Sequence, residues 1–271
     1  MTAGGPPSIS VVMPAHNEQD MLAESVGTVL TGLAKLTRVY EVIVCENGST
    51  DGTRSLAARL SEEHPEVRVL SLAEADYGSA LREGFLAARC ELVANFDVDL
   101  VDFDFLQLAL DRMGYGDGSR SDAADGPALS GAGGSGAGGY GVAIVVGTKR
   151  GPGSEDKRSA GRRAVTAVFS LVLRGGFGLR VSDTHGLKLQ RREALLAQVG
   201  LCRFGGDIFD TELVIRAARN GAKVEEVPVR VADRRPPRTP IAKRIPRSLV
   251  GLARLRARLW SEQMSGRPGR R

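Results

Sequence analysis

The sequence predicts an α/β fold, a Rossmann-like and mainly parallel twisted sheet with helices on both faces. Three observations predict it. Short apolar runs of strand length alternate with amphipathic helical patterns from residue 9 onward. The stretches joining successive runs are long enough to hold a right-handed helical crossover. Polar clusters stand at the carboxyl ends of three of the runs, where open α/β sheets bind their ligands.

The elements follow in order. Ile9 to Met13 reads as a buried strand, and Gln19 to Leu36 as a helix with Met21, Leu22, Val26, Val29, Leu30 and Leu33 on one face. Tyr40 to Cys45 is the second strand. Thr53 to Leu60 begins a helix that Asp51 is placed to cap. Val67 to Leu72 is a strand, Ser79 to Ala88 a helix and Leu92 to Phe96 a fourth strand. From Gly114 to Gly141 the pattern stops: 11 of 28 positions are Gly, which predicts a flexible surface insertion. Beyond it come a strand at Val142 to Val146, a helix at Ala164 to Leu173 and a short strand near Leu187 to Leu189. Helices at Arg192 to Val199 and Asp210 to Asn220 follow, the second closed by Gly221. Val224 to Val231 is the last strand.

Bulk properties exclude several classes. The chain has 271 residues, 42% hydrophobic and 25% charged, enough for a full core. Mean hydropathy of -0.12 is that of an ordinary globular protein. No stretch reaches the roughly 20 apolar residues of a membrane span, and residues 1–8 lack the features of a signal peptide. Cys45, Cys90 and Cys202 are too scattered for a disulfide framework or a zinc site; free buried thiols in a reducing, cytoplasmic setting are expected. Gly-x-Gly-x-x-Gly occurs only inside the Gly-rich stretch, at 131–136, 134–139 and 136–141, with no strand-like run before it to make a dinucleotide-binding turn, and there is no Walker loop.

The candidate chemistry lies in three clusters: Pro14 to Glu18, Glu46 to Gly52, and Asp97-Val98-Asp99. Alternate carboxylates at a strand end can turn toward one point, which suits a hard divalent ion that shares its other positions with substrate phosphates and water. Asp-x-Asp also arises in loops by chance. Asn17, Glu18, Glu46 and Asn47 offer groups for a base and ribose, while Asn17, Ser49 and Asp51 would equally serve as helix caps.

Taken together, Ser10-Val-Val-Met-Pro-Ala-His-Asn-Glu18, Val44-Cys-Glu-Asn-Gly-Ser-Thr-Asp-Gly-Thr53 and Asp97-Val-Asp99 resemble the leading motifs of the inverting family-2 glycosyltransferases, which have the GT-A fold. Gly147-Thr-Lys-Arg150, Val181-Ser-Asp-Thr-His-Gly-Leu-Lys188, Phe209-Asp-Thr-Glu-Leu213 and Glu225-Glu-Val-Pro-Val-Arg230 narrow the resemblance to the polyprenyl-phosphate sugar synthases. It runs from about residue 8 to residue 245.

The resemblance implies that Pro14, Ala15, Asn17, Glu18, Glu46 and Asn47 line the nucleotide pocket and that Asp76 closes over the base. It implies that Asp97 contacts the nucleotide and that Asp99, with Asp97, holds Mg²⁺ or Mn²⁺. Lys149 stands where an arginine meets the acceptor phosphate, with Arg162 and Arg163 as further candidates. Arg234 and Lys243 fall on a segment that closes over the diphosphate. The implied reaction moves a hexose from a GDP- or UDP-sugar to a polyprenyl monophosphate. A lipid phosphate is already ionised, so positioning and charge neutralisation would carry the catalysis. Several positions depart from the family pattern: Glu46-Asn47 replaces Asp-Asp, and Val101, His16 and His185 replace common polar residues. The Arg234 motif is rewritten as Arg-Arg-Pro-Pro-Arg-Thr-Pro, 234 to 240. Two rivals stay open. One is transfer to a soluble hydroxyl acceptor, with Asp183 or Asp210 as base; the other is a non-catalytic nucleotide-sugar binding protein.

The expected organisation is a disordered N-terminus at 1–8, a glycosyltransferase domain at 9–235 containing the 114–141 insertion, and a basic tail at 236–271. Residues 234–271 hold 12 Lys/Arg against Glu262 alone, so of the total charge of +5 the tail carries +11 and the remainder −6. Within the tail, apolar residues at 245, 249, 252, 255 and 259 mark one helix face beside arginines and Trp260. Such a helix suits an anionic membrane surface, which would make the protein peripheral on the cytoplasmic membrane face; equally, it could pack on the domain. Nucleic acid is not an expected partner, since aromatics make up only 5% and no reading motif is present.

Overall fold

The computed structural model describes residues 5–116, 141–149, 155–156, 160–179, 181–182, 184, 186–231 and 241–265. Nine strands and eight helices are assigned among them. In chain order they are β1 (Ile9–Ala15), α1 (Leu22–Leu36), β2 (Tyr40–Asn47), α2 (Thr53–Glu63), β3 (Val67–Leu72) and α3 (Tyr77–Ala87). The middle comprises β4 (Leu92–Asn95), α4 (Phe103–Arg112), β5 (Val142–Thr148), β6 (Glu155–Asp156) and α5 (Ala160–Phe177). The chain ends with β7 (Lys188–Arg191), α6 (Arg192–Val199), α7 (Gly206–Arg219), β8 (Lys223–Pro228), β9 (Arg230–Val231) and α8 (Ile241–Met264).

Seven strands form one sheet in the order β3-β2-β1-β4-β7-β5-β8. Four of its strand pairs are parallel, as expected for apolar runs buried on both faces. The exception is β7, which runs antiparallel to both β4 and β5. Its sequence alternates Lys188 and Gln190 with Leu189 and Arg191, a pattern that carries no direction.

Two apolar layers cover the sheet. On one face Val11, Met13, Val42 and Val44 pack with Leu22, Val26, Val29 and Leu33 of α1 and with Phe105, Leu106 and Ala109 of α4. On the other, Val12, Ile43, Cys45 and Val93 meet Leu81 and Phe85 of α3, Leu195 of α6, and Phe209 and Leu213 of α7. A third cluster joins α5, α7 and α8 through Leu173, Val214, Ile215, Leu252, Leu255 and Leu259. All three cysteines are free and buried.

The differences from the sequence reading have local causes. Helix α1 starts at Leu22, because Asn17 takes a left-handed conformation (φ 56°) and Glu18 O accepts the Met21 and Leu22 N–H groups in a turn. The expected last strand is two: Pro228 has no N–H for the ladder, and beyond it β9 pairs with β6 in a small separate sheet. Helix α8 begins at Ile241, so Pro246 lies inside it rather than at its first turn. The Gly-rich insertion lies outside the described residues except at its ends, 114–116 and 141. No helix among the described residues is long and apolar enough to cross a membrane.

Candidate active site

Strands β2, β1 and β4 are neighbours, so their carboxyl ends bring the three polar clusters to one edge of the sheet. Pro14 and Ala15 end β1 as buried residues opposite Cys45 and Glu46. The loops beyond are knitted together. Asn17 N–H donates to Ser49 Oγ at 3.1 Å, and Asn17 Oδ1 accepts the Thr50 N–H at 2.8 Å. Glu18 N–H donates to Thr53 Oγ1 at 2.7 Å. His16 Nδ1 donates to Asn47 O at 2.7 Å, which leaves Nε2 to accept from Asn17 Nδ2 at 3.3 Å.

Glu46 and Asn47 shape this loop from beneath. The buried Glu46 carboxylate accepts the Ser49 N–H at 2.7 Å and Arg54 Nε at 2.9 Å. Burial pushes its pKa up, but these bonds outweigh burial and hold it below the usual carboxylate range. Asn47 Nδ2 donates to Ala15 O and Cys45 O, tying β2 to β1. Gly48 (φ 59°) follows, and a Cβ there would stand 2.6 Å from Ala75 N. Only glycine allows residues 74–75 to lie on this turn.

Asp76 joins two helices. It caps α3 by accepting the Ser79 N–H at 2.6 Å, and its carboxylate also accepts Gly206 N–H, at 3.1 Å, where α7 begins. In this structure it is a clamp at the rim. The next residue, Tyr77, donates its hydroxyl to Asp97 Oδ1 at 3.0 Å. Burial and the Asp97 charge keep that phenol protonated, well above its ordinary value.

Asp97 and Asp99 occupy a tight turn closed by Leu100 N–H to Asp97 O at 2.9 Å. Val98 between them points into the core, and its carbonyl is held by Ser25 Oγ. Asp97 is partly buried and Asp99 is exposed. Burial raises the Asp97 pKa, the Asp99 charge raises it further, and the Tyr77 hydroxyl and Lys188 ammonium oppose the rise. Two carboxylates repelling each other at the sheet edge fit a cation that would relieve the repulsion. Among the described residues no third His, Cys, Asp or Glu completes a cluster, so a bound ion would draw its other ligands from phosphate and water.

Lys149 follows β5, which lies beyond β7 on the side of β4 away from β1 and β2. Its Nζ lies 3.9 Å, and Leu100 4.0 Å, from where a Cβ of Gly186 would be. The Gly186 carbonyl accepts Asn95 Nδ2 at 2.7 Å and Lys188 Nζ at 2.9 Å. Lys188 is wholly buried and pairs with the equally buried Asp210 at 2.6 Å. Asp210 is thus engaged as a brace, with its other oxygen, Oδ1, unpartnered among the described residues.

The structure therefore brings Pro14, Ala15, Asn17, Glu18, Glu46, Asn47, Asp76, Asp97, Asp99 and Lys149 to one sheet edge. Arg163 is exposed on α5. Arg234, Asp183 and His185 lie outside the described residues, as do the side chains of Lys243 and Arg162. Sequence reasoning missed Tyr77, Asn95 and the role of Lys188. The signal for the last was a lysine at an alternate position of an apolar strand, Leu187 to Leu189.

Comparison with known proteins identifies the class. The Glycosyl transferase family 2 domain matches residues 10–118. An uncharacterised glycosyltransferase of Mycobacterium tuberculosis is 30% identical over 227 residues, 84% of this chain and 86% of its own. Glycosyltransferase AglD of Haloferax volcanii is 31% identical over 82% of this chain, which spans only 32% of AglD's length. Dolichyl-phosphate beta-glucosyltransferase of Saccharomyces cerevisiae is 27% identical over 82% of this chain and 66% of its own length. Among solved structures, glucosyl-3-phosphoglycerate synthase of Mycobacterium tuberculosis, in complex with Mn²⁺, UDP and glucosyl-3-phosphoglycerate, aligns with a TM-score of 0.60. That alignment is 22% identical and covers 92% of this chain and 80% of the other. The chain belongs to glycosyltransferase family 2. It has the GT-A fold, is a glycosyltransferase, and resembles the dolichol-phosphate sugar synthases.

Proposed function

We propose that this enzyme transfers a hexose, with inversion, from a nucleotide-diphosphate sugar to a polyprenyl monophosphate at an anionic membrane surface. The observation that carries this reading is that Lys149, at the carboxyl end of β5, stands on the side of the β4 carboxylates away from the Pro14–Glu18 and Glu46–Gly52 loops that follow β1 and β2. That arrangement supports a donor diphosphate on one side of the carboxylates and an acceptor anion on the other. The yeast relative, named for dolichyl phosphate and glucose, supports the same acceptor class. The UDP and Mn²⁺ or Mg²⁺ in structures sharing the fold make UDP-glucose the first donor to test.

A divalent ion held by Asp97 and Asp99 would supply charge neutralisation of the leaving diphosphate. The chain's residues do the rest. Asn17, Glu18 and the loop shaped by Glu46 and Asn47 hold the nucleotide, and Lys149, with Arg234 and Lys243 on the later segment, orients anionic groups. An acceptor phosphate oxygen attacks the anomeric carbon, a new C–O bond forms, and the bond to the donor β-phosphate breaks with its electrons leaving on the nucleoside diphosphate. No general base is needed, because the acceptor oxygen is already ionised. Radiolabel from UDP-glucose or GDP-mannose, with Mn²⁺ and a polyprenyl phosphate, should partition into organic solvent. Label that stays in water as a new glycoside shows a soluble acceptor instead. Absence of transfer to any acceptor points to a binding protein.

A further inference from the structure

Helix α8 carries two apolar faces, and the fold uses one. Leu252, Leu255 and Leu259 are buried against Leu173, Val214 and Ile215. The helix's single acid, Glu262, also turns inward, where Arg216 donates to both of its oxygens at 2.9 and 3.1 Å. On the other side Val250, Ala253, Ala257, Trp260 and Met264 follow at alternating three- and four-residue steps. At about 100° per residue this stripe is centred roughly 150° from the buried one. It is open to solvent: Val250 is 50%, Trp260 60% and Met264 73% exposed. Ala253, Arg256, Ala257 and Trp260 line a shallow depression along it. Arg254 flanks the stripe on one side and Arg256 on the other, Arg258 donates to Glu262 at 3.0 Å, and the helix as a whole has six Lys/Arg against Glu262 alone.

We propose that this outward stripe is a docking surface for an anionic lipid bilayer. Trp260 and Met264 enter the boundary between headgroups and acyl chains, and the flanking arginines meet lipid phosphates. The inference rests on the reading that the acceptor is carried by a lipid, and it identifies the face that meets that lipid's membrane. Charge selects the occupant. A second copy of the chain would set these arginines against their own counterparts with no acid on the face to offset them. The helix lies along the surface, being too polar to cross. The stripe is also distinct from the 245, 249, 252, 255, 259 face that the sequence marks, most of which the fold consumes.

Trp260 is the chain's only tryptophan, so its emission reports directly on this surface. The full chain would be titrated with phosphatidylcholine vesicles holding about a third phosphatidylglycerol, and with pure phosphatidylcholine. The expected result is a blue shift and co-sedimentation with the anionic vesicles only, weakened by salt. Replacing Trp260→Glu together with Met264→Glu should cut vesicle partition by at least about tenfold. The unfolding midpoint, and sugar transfer to a short water-soluble polyprenyl phosphate, should stay unchanged in that variant. Binding that does not distinguish the two vesicles overturns the proposal, as does no shift. A lipid-independent shift that tracks dimer formation in sedimentation velocity assigns the stripe to a second copy and overturns it too. Vesicle binding without any transfer supports the surface and counts against the acceptor reading alone.

Discussion

The Lys188 ammonium and the Asp210 carboxylate meet at 2.6 Å with neither side chain exposed to solvent. Thr184 O and Gly186 O take the remaining two ammonium donors, so the lysine is saturated. Removing one partner leaves a buried charge without compensation. Lys188→Met should therefore destabilise the fold by about 3–5 kcal/mol, whereas Lys188→Met with Asp210→Leu should recover most of that loss. Urea denaturation of both variants checks it.

On the proposed reading, Asp97 and Asp99 set function against stability. Asp97→Asn keeps an acceptor for the Tyr77 hydroxyl and removes the repulsion from Asp99. It should raise the melting temperature slightly while lowering transfer by about 10²–10³-fold. Asp99→Ala should lower activity by as much and leave the fold intact. Mn²⁺ should raise the melting temperature of the unaltered chain and of neither variant.

Glu41 gives a pH signature far from the site. Burial pushes its pKa up, but Ser10 Oγ, Arg68 Nη1 and the Arg89 N–H overcome that and hold it below 4.5. A depressed folded-state pKa contributes stability above the unfolded value that is lost as pH falls through the folded one. Glu41→Gln should cost about 2 kcal/mol at neutral pH. The gap between the two proteins should narrow below about pH 4.5 and close in stronger acid, as followed by thermal melts across pH.

Gly48 tests the nucleotide-side loop. An added Cβ would collide with the backbone at Ala75 and strain a positive φ. Gly48→Ala should cost about 1–3 kcal/mol and weaken donor binding, because residues 74–75 must lift from the turn. Calorimetric titration with UDP and Mn²⁺ reads the second effect.

The sheet and the carboxylate pair were legible because their signals are local. Ile9 to Met13 and Tyr40 to Cys45 are apolar runs that can only be buried, and Asp97-Val98-Asp99 carries its own spacing. What was not legible depends on distant partners. The strand β7 gets its direction from pairing with Asn95 and Val146, which four residues cannot encode. The bond from Tyr77 to Asp97 joins the start of one helix to the end of another strand. Glu46 and Asn47 look like ligand groups in sequence, and their supporting bonds, from the Glu46 carboxylate to Ser49 and Arg54 and from Asn47 Nδ2 to Ala15 O and Cys45 O, cannot be read there. The tail helix showed one apolar face in sequence. The small residues Ala253 and Ala257 hid the other.

The reversal at β7 also determines how the pocket can change over time. Because β7 opposes β4, the approach to β7 arrives where β4 ends, and Asn95 and Gly186, 91 positions apart, are stitched by one hydrogen bond. The pocket is thus assembled along a seam between two independent lengths of chain. On the proposed reading, substitutions on one side would retune what receives the sugar while the lip that grips the donor is inherited unaltered.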